Sequence, residues 1–134
     1  MGARAEGADV AVARKREVKI VAPKIGGATL ANRKKLPADG QLAGTPSVVF
    51  DAVALVLSKD AGARLATEAA AVDWVRDAFS HLKAIAFDEG ARAVVGAAGI
   101  EPDAGVVAAS DASKFVQAAM TRQWAREPKV RTLP

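Results

Sequence analysis

The residues best placed to do chemistry sit where apolar runs give way to polar turns. Asp88-Glu89-Gly90 follows the short apolar run Lys83-Ala84-Ile85-Ala86-Phe87. Ser58-Lys59-Asp60 follows Ala52-Val53-Ala54-Leu55-Val56-Leu57. In an open α/β sheet small ligands bind outside the carboxyl ends of the strands, so Ser58, Lys59, Asp88 and Glu89 would line such a site together. A carboxylate at the Asp88 turn is not activated for acyl transfer, and no neighbouring His is evident as a base. An acidic first turn suits the positive end of a helix. His81 is the only His and stands at the end of a helical stretch, where the dipole favours an imidazolium. Gly26-Gly27 lacks the strand, helix and Lys-Ser/Thr pair of a phosphate loop and reads as a turn. Asp51, Asp60, Asp73, Asp77, Asp88 and Glu89 lack the close spacing of a calcium loop. No residue is therefore assigned as catalytic, cofactor-binding or metal-ligating.

Two absences restrict the chemistry further. With no Cys in 134 residues, the chain has no thiol nucleophile, disulfide, thiolate metal site or iron–sulfur cluster. It also has no Tyr. The formal charge is +4, unevenly spread: residues 1–35 hold nine Lys/Arg against three Asp/Glu, and the remainder ten against twelve. Basic segments can bind nucleic acid or anionic membranes, but no aromatic lies among these basic residues to stack a base. A solvated basic face is expected, with no nucleic-acid or membrane partner. No apolar run approaches the ~20 residues of a membrane span. Arg14-Lys15-Arg16 interrupts the weakly apolar Val10–Ala13 too soon for a secretory signal, so the cytoplasm is the expected location.

Strands and helices must position these groups. Residues 1–13 are Gly/Ala-rich and poorly patterned. Glu17–Ala22 alternates as a short strand, and Pro23 ends it. Ile25–Leu42, with Gly26-Gly27, Asn32 and Asp39-Gly40, predicts a small hairpin excursion. Ala52–Leu57 is continuously apolar, as a strand covered on both faces should be. Asp60 is a candidate N-cap for a helix whose stripe is Leu65, Ala69, Val72, Val75, Phe79 and Leu82. Lys83–Phe87 is the next strand. Glu89–Val95 is a short helix closed by Gly96 and Gly99, and Val106–Ala108 a last strand. Ser110 is the candidate N-cap of a final helix with Ala112, Phe115, Val116, Ala119 and Met120 facing inward. Trp74 and Trp124 fall on helices, where a large apolar side chain packs against a neighbour; Trp124 could instead anchor the tail on another domain. Alternating strands and helices indicate an open, mostly parallel sheet with helices on both faces.

The wording itself resembles one family. The block Asp77–Arg92, the segments Leu36-Pro37-Ala38-Asp39-Gly40 and Ala43–Val53, and the tail Arg122-Gln123-Trp124-Ala125-Arg126-Glu127-Pro128-Lys129-Val130 are similar to the C-terminal domain of large-subunit (clade 2) monofunctional haem catalases. The resemblance implies a flavodoxin-like fold related to class I glutamine amidotransferases and PfpI-type peptidases. In those relatives a Cys occupies the turn that is Asp88-Glu89-Gly90 here. It divides the chain into a basic segment 1–16, a domain 17–127 and an extended tail 128–134.

The resemblance runs from about Val18, whereas the family domain begins with a buried first strand and a helix before that point. The fold is therefore expected to lack its first strand and to leave ladder groups unpaired beside Val18–Ala22. A truncated chain is the favoured explanation. A start assigned downstream of the true one, or residues 1–16 filling the gap, are the alternatives. The parent enzyme disproportionates hydrogen peroxide to water and oxygen through haem held by a Tyr phenolate; this chain has no Tyr, and the parent's distal His lies in an N-terminal motif absent here. The resemblance implies an accessory domain that supports assembly and stability of the tetramer, with the catalase core and other subunits as partners. It implies no haem in this chain and no catalysis by it alone. The alternatives are a free-standing flavodoxin-like ligand-binding protein without thiol catalysis, and a non-functional gene fragment.

Overall fold

The structure is a computed structural model that describes residues 9–14, 18–22, 28–29, 35–36 and 38–131. The Gly26-Gly27 turn and the last three residues of the tail lie outside the described residues. The chain forms β1 Asp9–Arg14, β2 Val18–Ala22, β3 Ala28–Thr29, β4 Lys35–Leu36, β5 Gly40–Gln41 and β6 Ala52–Leu57. Then come α1 Lys59–Leu65, α2 Ala69–Ser80, β7 Ala84–Phe87, α3 Arg92–Ala97, β8 Val106–Ala108, α4 Ala112–Ala119 and α5 Glu127–Arg131. The predicted hairpin excursion is the β3–β4 pair.

One sheet has the order β5-β2-β1-β6-β7-β8. Leaving aside the short edge strand β5, this is the flavodoxin-like order 2-1-3-4-5. β6, β7 and β8 are parallel, and β2 is parallel to β5. β1 runs antiparallel to both its neighbours, pairing Ala11 with Val21 and with Leu55. β2 thus points the same way as β6, and β1 alone is reversed.

The predicted α/β architecture is therefore present, with a departure at its start. The gap expected beside β2 is closed: residues from the poorly patterned segment supply a strand whose two edges pair with β2 and β6. Among the described residues, the strand that precedes β2 is antiparallel to it. A short antiparallel hairpin needs only a tight turn between β1 and β2, whereas a parallel partner would need a crossover of a dozen or more residues.

Register places Val53, Ile85 and Val106 side by side on one face. With Val21, Leu55 and Leu57 they join Leu65, Val72, Val75, Phe79, Val94 and Val95 in the core under α1, α2 and α3. The opposite face is Ala-rich: Ala52, Ala84 and Ala86 are fully buried, and α4 packs against β7 and β8 there.

Several local expectations change. The helix predicted through Leu65 and Leu82 is two helices. The Thr67 hydroxyl bonds Arg64 O at 2.7 Å, competing with the helical ladder, and Glu68 adopts an extended backbone as the N-cap of α2. Ala69 is exposed as a result, while Leu65, Val72, Val75, Phe79 and Leu82 are buried. The N-caps fall on Ser58 and Asp111 rather than Asp60 and Ser110. Ser58 Oγ accepts from Ala61 N at 3.1 Å and Asp111 Oδ1 from Lys114 N at 3.1 Å. Gly96 lies inside α3, and Gly99 (φ +71°) ends it, a left-handed cap that glycine adopts without steric cost. Tail residues 127–131 are helical rather than extended; Pro128 fits because the first turn of a helix needs no amide hydrogen there.

Candidate functional site

At the carboxyl ends of β6 and β7 the four residues expected to line a ligand site come near one another, but the groups of Ser58, Asp88 and Glu89 are engaged by neighbouring residues. Asp88 accepts from Leu57 N through both oxygens, at 3.1 and 3.2 Å, and from Ala91 N at 3.0 Å. It thereby ties the end of β6 to the first turn after β7. Ser58 caps α1. Glu89 is exposed and forms a two-point pair with Arg92, both contacts 3.1 Å. That hydrogen-bonded pairing, followed by the Arg92 charge, holds the Glu89 carboxyl below the usual range. Lys59 is exposed.

Backbone fills the space between these ends. A Cβ on Gly62 of α1 would stand 1.8 Å from Gly90 O, and one on Gly90 would stand 1.8 Å from Leu57 O. Only two glycines in succession allow α1, the Asp88 turn and the end of β6 to meet so closely. The reversed β1 acts on the same region. Asp9, the first residue of β1, pairs with Leu57, so the loop leaving β1 emerges at the other end of the sheet. The crevice beside β6, where a flavodoxin-like fold takes its ligand, lacks one of its two outgoing loops.

His81 is the C-cap of α2, exposed, and its Nδ1–H donates to Asp77 O at 2.8 Å. It lies at the amino end of β7, the length of the strand away from Asp88. Trp74 is buried, and its indole N–H donates to Thr45 O at 2.6 Å. Leu82 takes a left-handed backbone (φ 64°), and Lys83 N bonds back to Ala78 O at 3.0 Å, turning the chain from α2 into β7.

Two charged groups hidden from sequence reasoning lie at this end. Arg126 is 3% exposed. Its Nε and Nη2 reach the two oxygens of Asp103 at 2.7 and 2.9 Å. Its Nη1 donates to Phe79 O at 3.0 Å and Lys83 O at 2.9 Å, and its guanidinium lies 4.0 Å from the centre of the Phe79 ring. Burial alone would raise the Asp103 pKa, but the Arg126 hydrogen bonds, Gly105 N–H and the charges of Arg126 and Lys129 outweigh it and hold the carboxyl below its usual value. Lys83 is also buried. Burial first, then the nearby Arg122 charge, lower its pKa, with Asp51 pulling the other way. Asp103 and Arg126 are 23 positions apart, and no periodicity links them; a charged residue inside the tail motif was the only available signal.

The outer side of α4 differs from expectation. Phe115, Ala118 and Ala119 turn toward the sheet and are half-buried, and no residue of the helix is fully buried. Val116 is 42% exposed, Met120 81% and Trp124 61%. The Val116, Met120 and Trp124 side chains expected to pack are thus offered to the surroundings.

Comparison with known proteins gives this surface a context. Residues 3–123 match the family described as the C-terminal domain found in long catalases. Among similar proteins, Catalase C of Rhizobium meliloti (strain 1021) is 39% identical over 118 residues, covering 84% of this chain and 17% of that protein. Catalase HPII of Pseudomonas aeruginosa is 29% identical over 136 residues, covering 98% of this chain and 18% of that protein. The chain spans less than a fifth of the length of these curated relatives. The match takes in β1, so the reversed strand lies inside the matched region. The chain belongs to the family of C-terminal domains found in long catalases.

Proposed function

We propose that this chain is an accessory domain of a large-subunit catalase, supporting assembly and stability of a tetrameric enzyme rather than turning over peroxide itself. The observation that carries the proposal is the uncovered apolar side of α4, with Val116 and Met120 exposed, and the exposed Trp124 of the turn that follows, on a domain that spans less than a fifth of its relatives. The occupant we assign to that face is the catalase core. An apolar surface gains about 25 cal/mol for each Å² it removes from water. The core's hydrogen peroxide chemistry, its cytoplasmic setting and its role under oxidative stress belong to the same proposal.

Haem does not fit the donors available. Catalase iron takes a Tyr ligand, and the sequence contains neither Tyr nor Cys. His81 is exposed, with Nδ1 engaged by the carbonyl of its own helix. A haem group therefore belongs to the core, and no reaction step is assigned to this chain. The small-ligand alternative draws no support from the carboxyl ends of the strands, where Ser58, Asp88 and Glu89 are satisfied by neighbouring groups.

Titrating the purified chain with haemin and following oxygen release from hydrogen peroxide tests the division of labour. The expected result is no saturable haem spectrum and no oxygen beyond that from free haemin. Stoichiometric haem binding with peroxide turnover would overturn it.

A further inference from the structure

Met120 is the C-cap of α4, with helical backbone angles (φ −71°, ψ −16°), and its amide donates to Gln117 O at 3.3 Å. Its side chain is 81% exposed, while Val116, one turn back on the same side of the helix, is 42% exposed. The chain has no Cys to compete for an oxidant, and its other sulfur, Met1, lies outside the described residues.

We propose that Met120 is a site of reversible oxidation by peroxide, and that its sulfoxide turns the outer side of α4 from apolar to polar. The thioether sulfur attacks one peroxide oxygen and the O–O bond breaks. An S=O bond forms, and the other oxygen leaves as water or, from an alkyl peroxide, as an alcohol. Sulfur loses two electrons and the peroxide gains them, so no further reactant is required. Solvent reaches the sulfur without any opening of the fold. The product places a strongly polar oxygen beside Val116 and takes nothing from the core, since Met120 packs in no buried cluster. This modification goes beyond the assembly role and does not depend on it. Docking of α4 on a catalase core would shield the sulfur, so the sulfoxide belongs to the undocked chain.

The test uses the full 134-residue chain with excess hydrogen peroxide, followed by peptide mass mapping. One oxygen should appear on Met120, at a rate within about twofold of a short unstructured Met peptide. Methionine sulfoxide reductase should remove it. The oxidised chain should leave a hydrophobic-interaction column earlier than the untreated one and together with Met120→Gln, with an unchanged circular-dichroism spectrum. Met120→Leu should show neither the added oxygen at this position nor the retention shift. Oxidation more than about tenfold slower than the peptide, oxygen placed on Trp124 with Met120 intact, or unchanged retention after oxidation would each overturn the proposal. None of these outcomes depends on whether a catalase core binds.

Discussion

Truncating Arg126 to Ala removes a clamp that joins the C-terminal segment to both α2 and the start of β7. The guanidinium makes two charge-assisted bonds to Asp103 and two bonds to the Phe79 and Lys83 carbonyls, with 1% of its side chain exposed. Breaking a buried ion pair by deleting one partner costs about 3–5 kcal/mol. Asp103 retains 33% side-chain exposure, so water can resolvate part of its charge, placing the expected loss near 3 kcal/mol. For a domain of this size that is about a 10 °C fall in Tm. Urea unfolding of the 134-residue chain measures it directly. Replacing both partners, Arg126→Met with Asp103→Asn, should recover a large part of the loss, because no lone charge is left behind. Acid gives the sign of the Asp103 contribution. Its folded pKa is depressed, so its stabilisation is present above the ordinary carboxyl value near 4 and is lost as pH falls through the lower folded value. A loss under about 1 kcal/mol for Arg126→Ala would refute the clamp.

Lys83→Met should stabilise the fold by up to about 1 kcal/mol, since a lysine stem 5% exposed, whose charge is partly desolvated, is replaced by an uncharged side chain of similar size. With a lowered folded pKa, the lysine's penalty is full at low pH and relieved as pH rises through that value toward 10, so the two melting temperatures should converge in alkali. Gly90→Ala should cost about 3 kcal/mol or more, or prevent folding, because its Cβ would meet Leu57 O at 1.8 Å. An unchanged chemical-denaturation midpoint would contradict that packing.

Much of the architecture was legible because apolar runs are direct signals. The unbroken Ala52–Leu57 run and the Leu65–Val72–Val75–Phe79 stripe report burial whatever surrounds them, and both are core. β1 was not legible: Asp9–Arg14 is short and Ala-rich, and its strand identity comes from pairing on two sides with β2 and β6. The caps were near misses: Ser58 stands two residues before the expected Asp60, and Asp111 one after the expected Ser110. The stripe on α4 misled because amphipathicity reports that a face is apolar, not that this chain covers it. At the candidate ligand site the residues were legible as types and as neighbours at the strand ends. Their actual work, Asp88 joining β6 to the next turn and Gly62 meeting Gly90, depends on through-space contacts that no local pattern encodes.

Size fractionation of extracts from the source cells, blotted with an antibody against residues 60–134 and assayed for peroxide disproportionation, tests the accessory-domain role most directly. The expected band is several times heavier than the 13.8 kDa of this chain and elutes with the peroxide-disproportionating activity. A band near that mass, eluting apart from the activity, would contradict it.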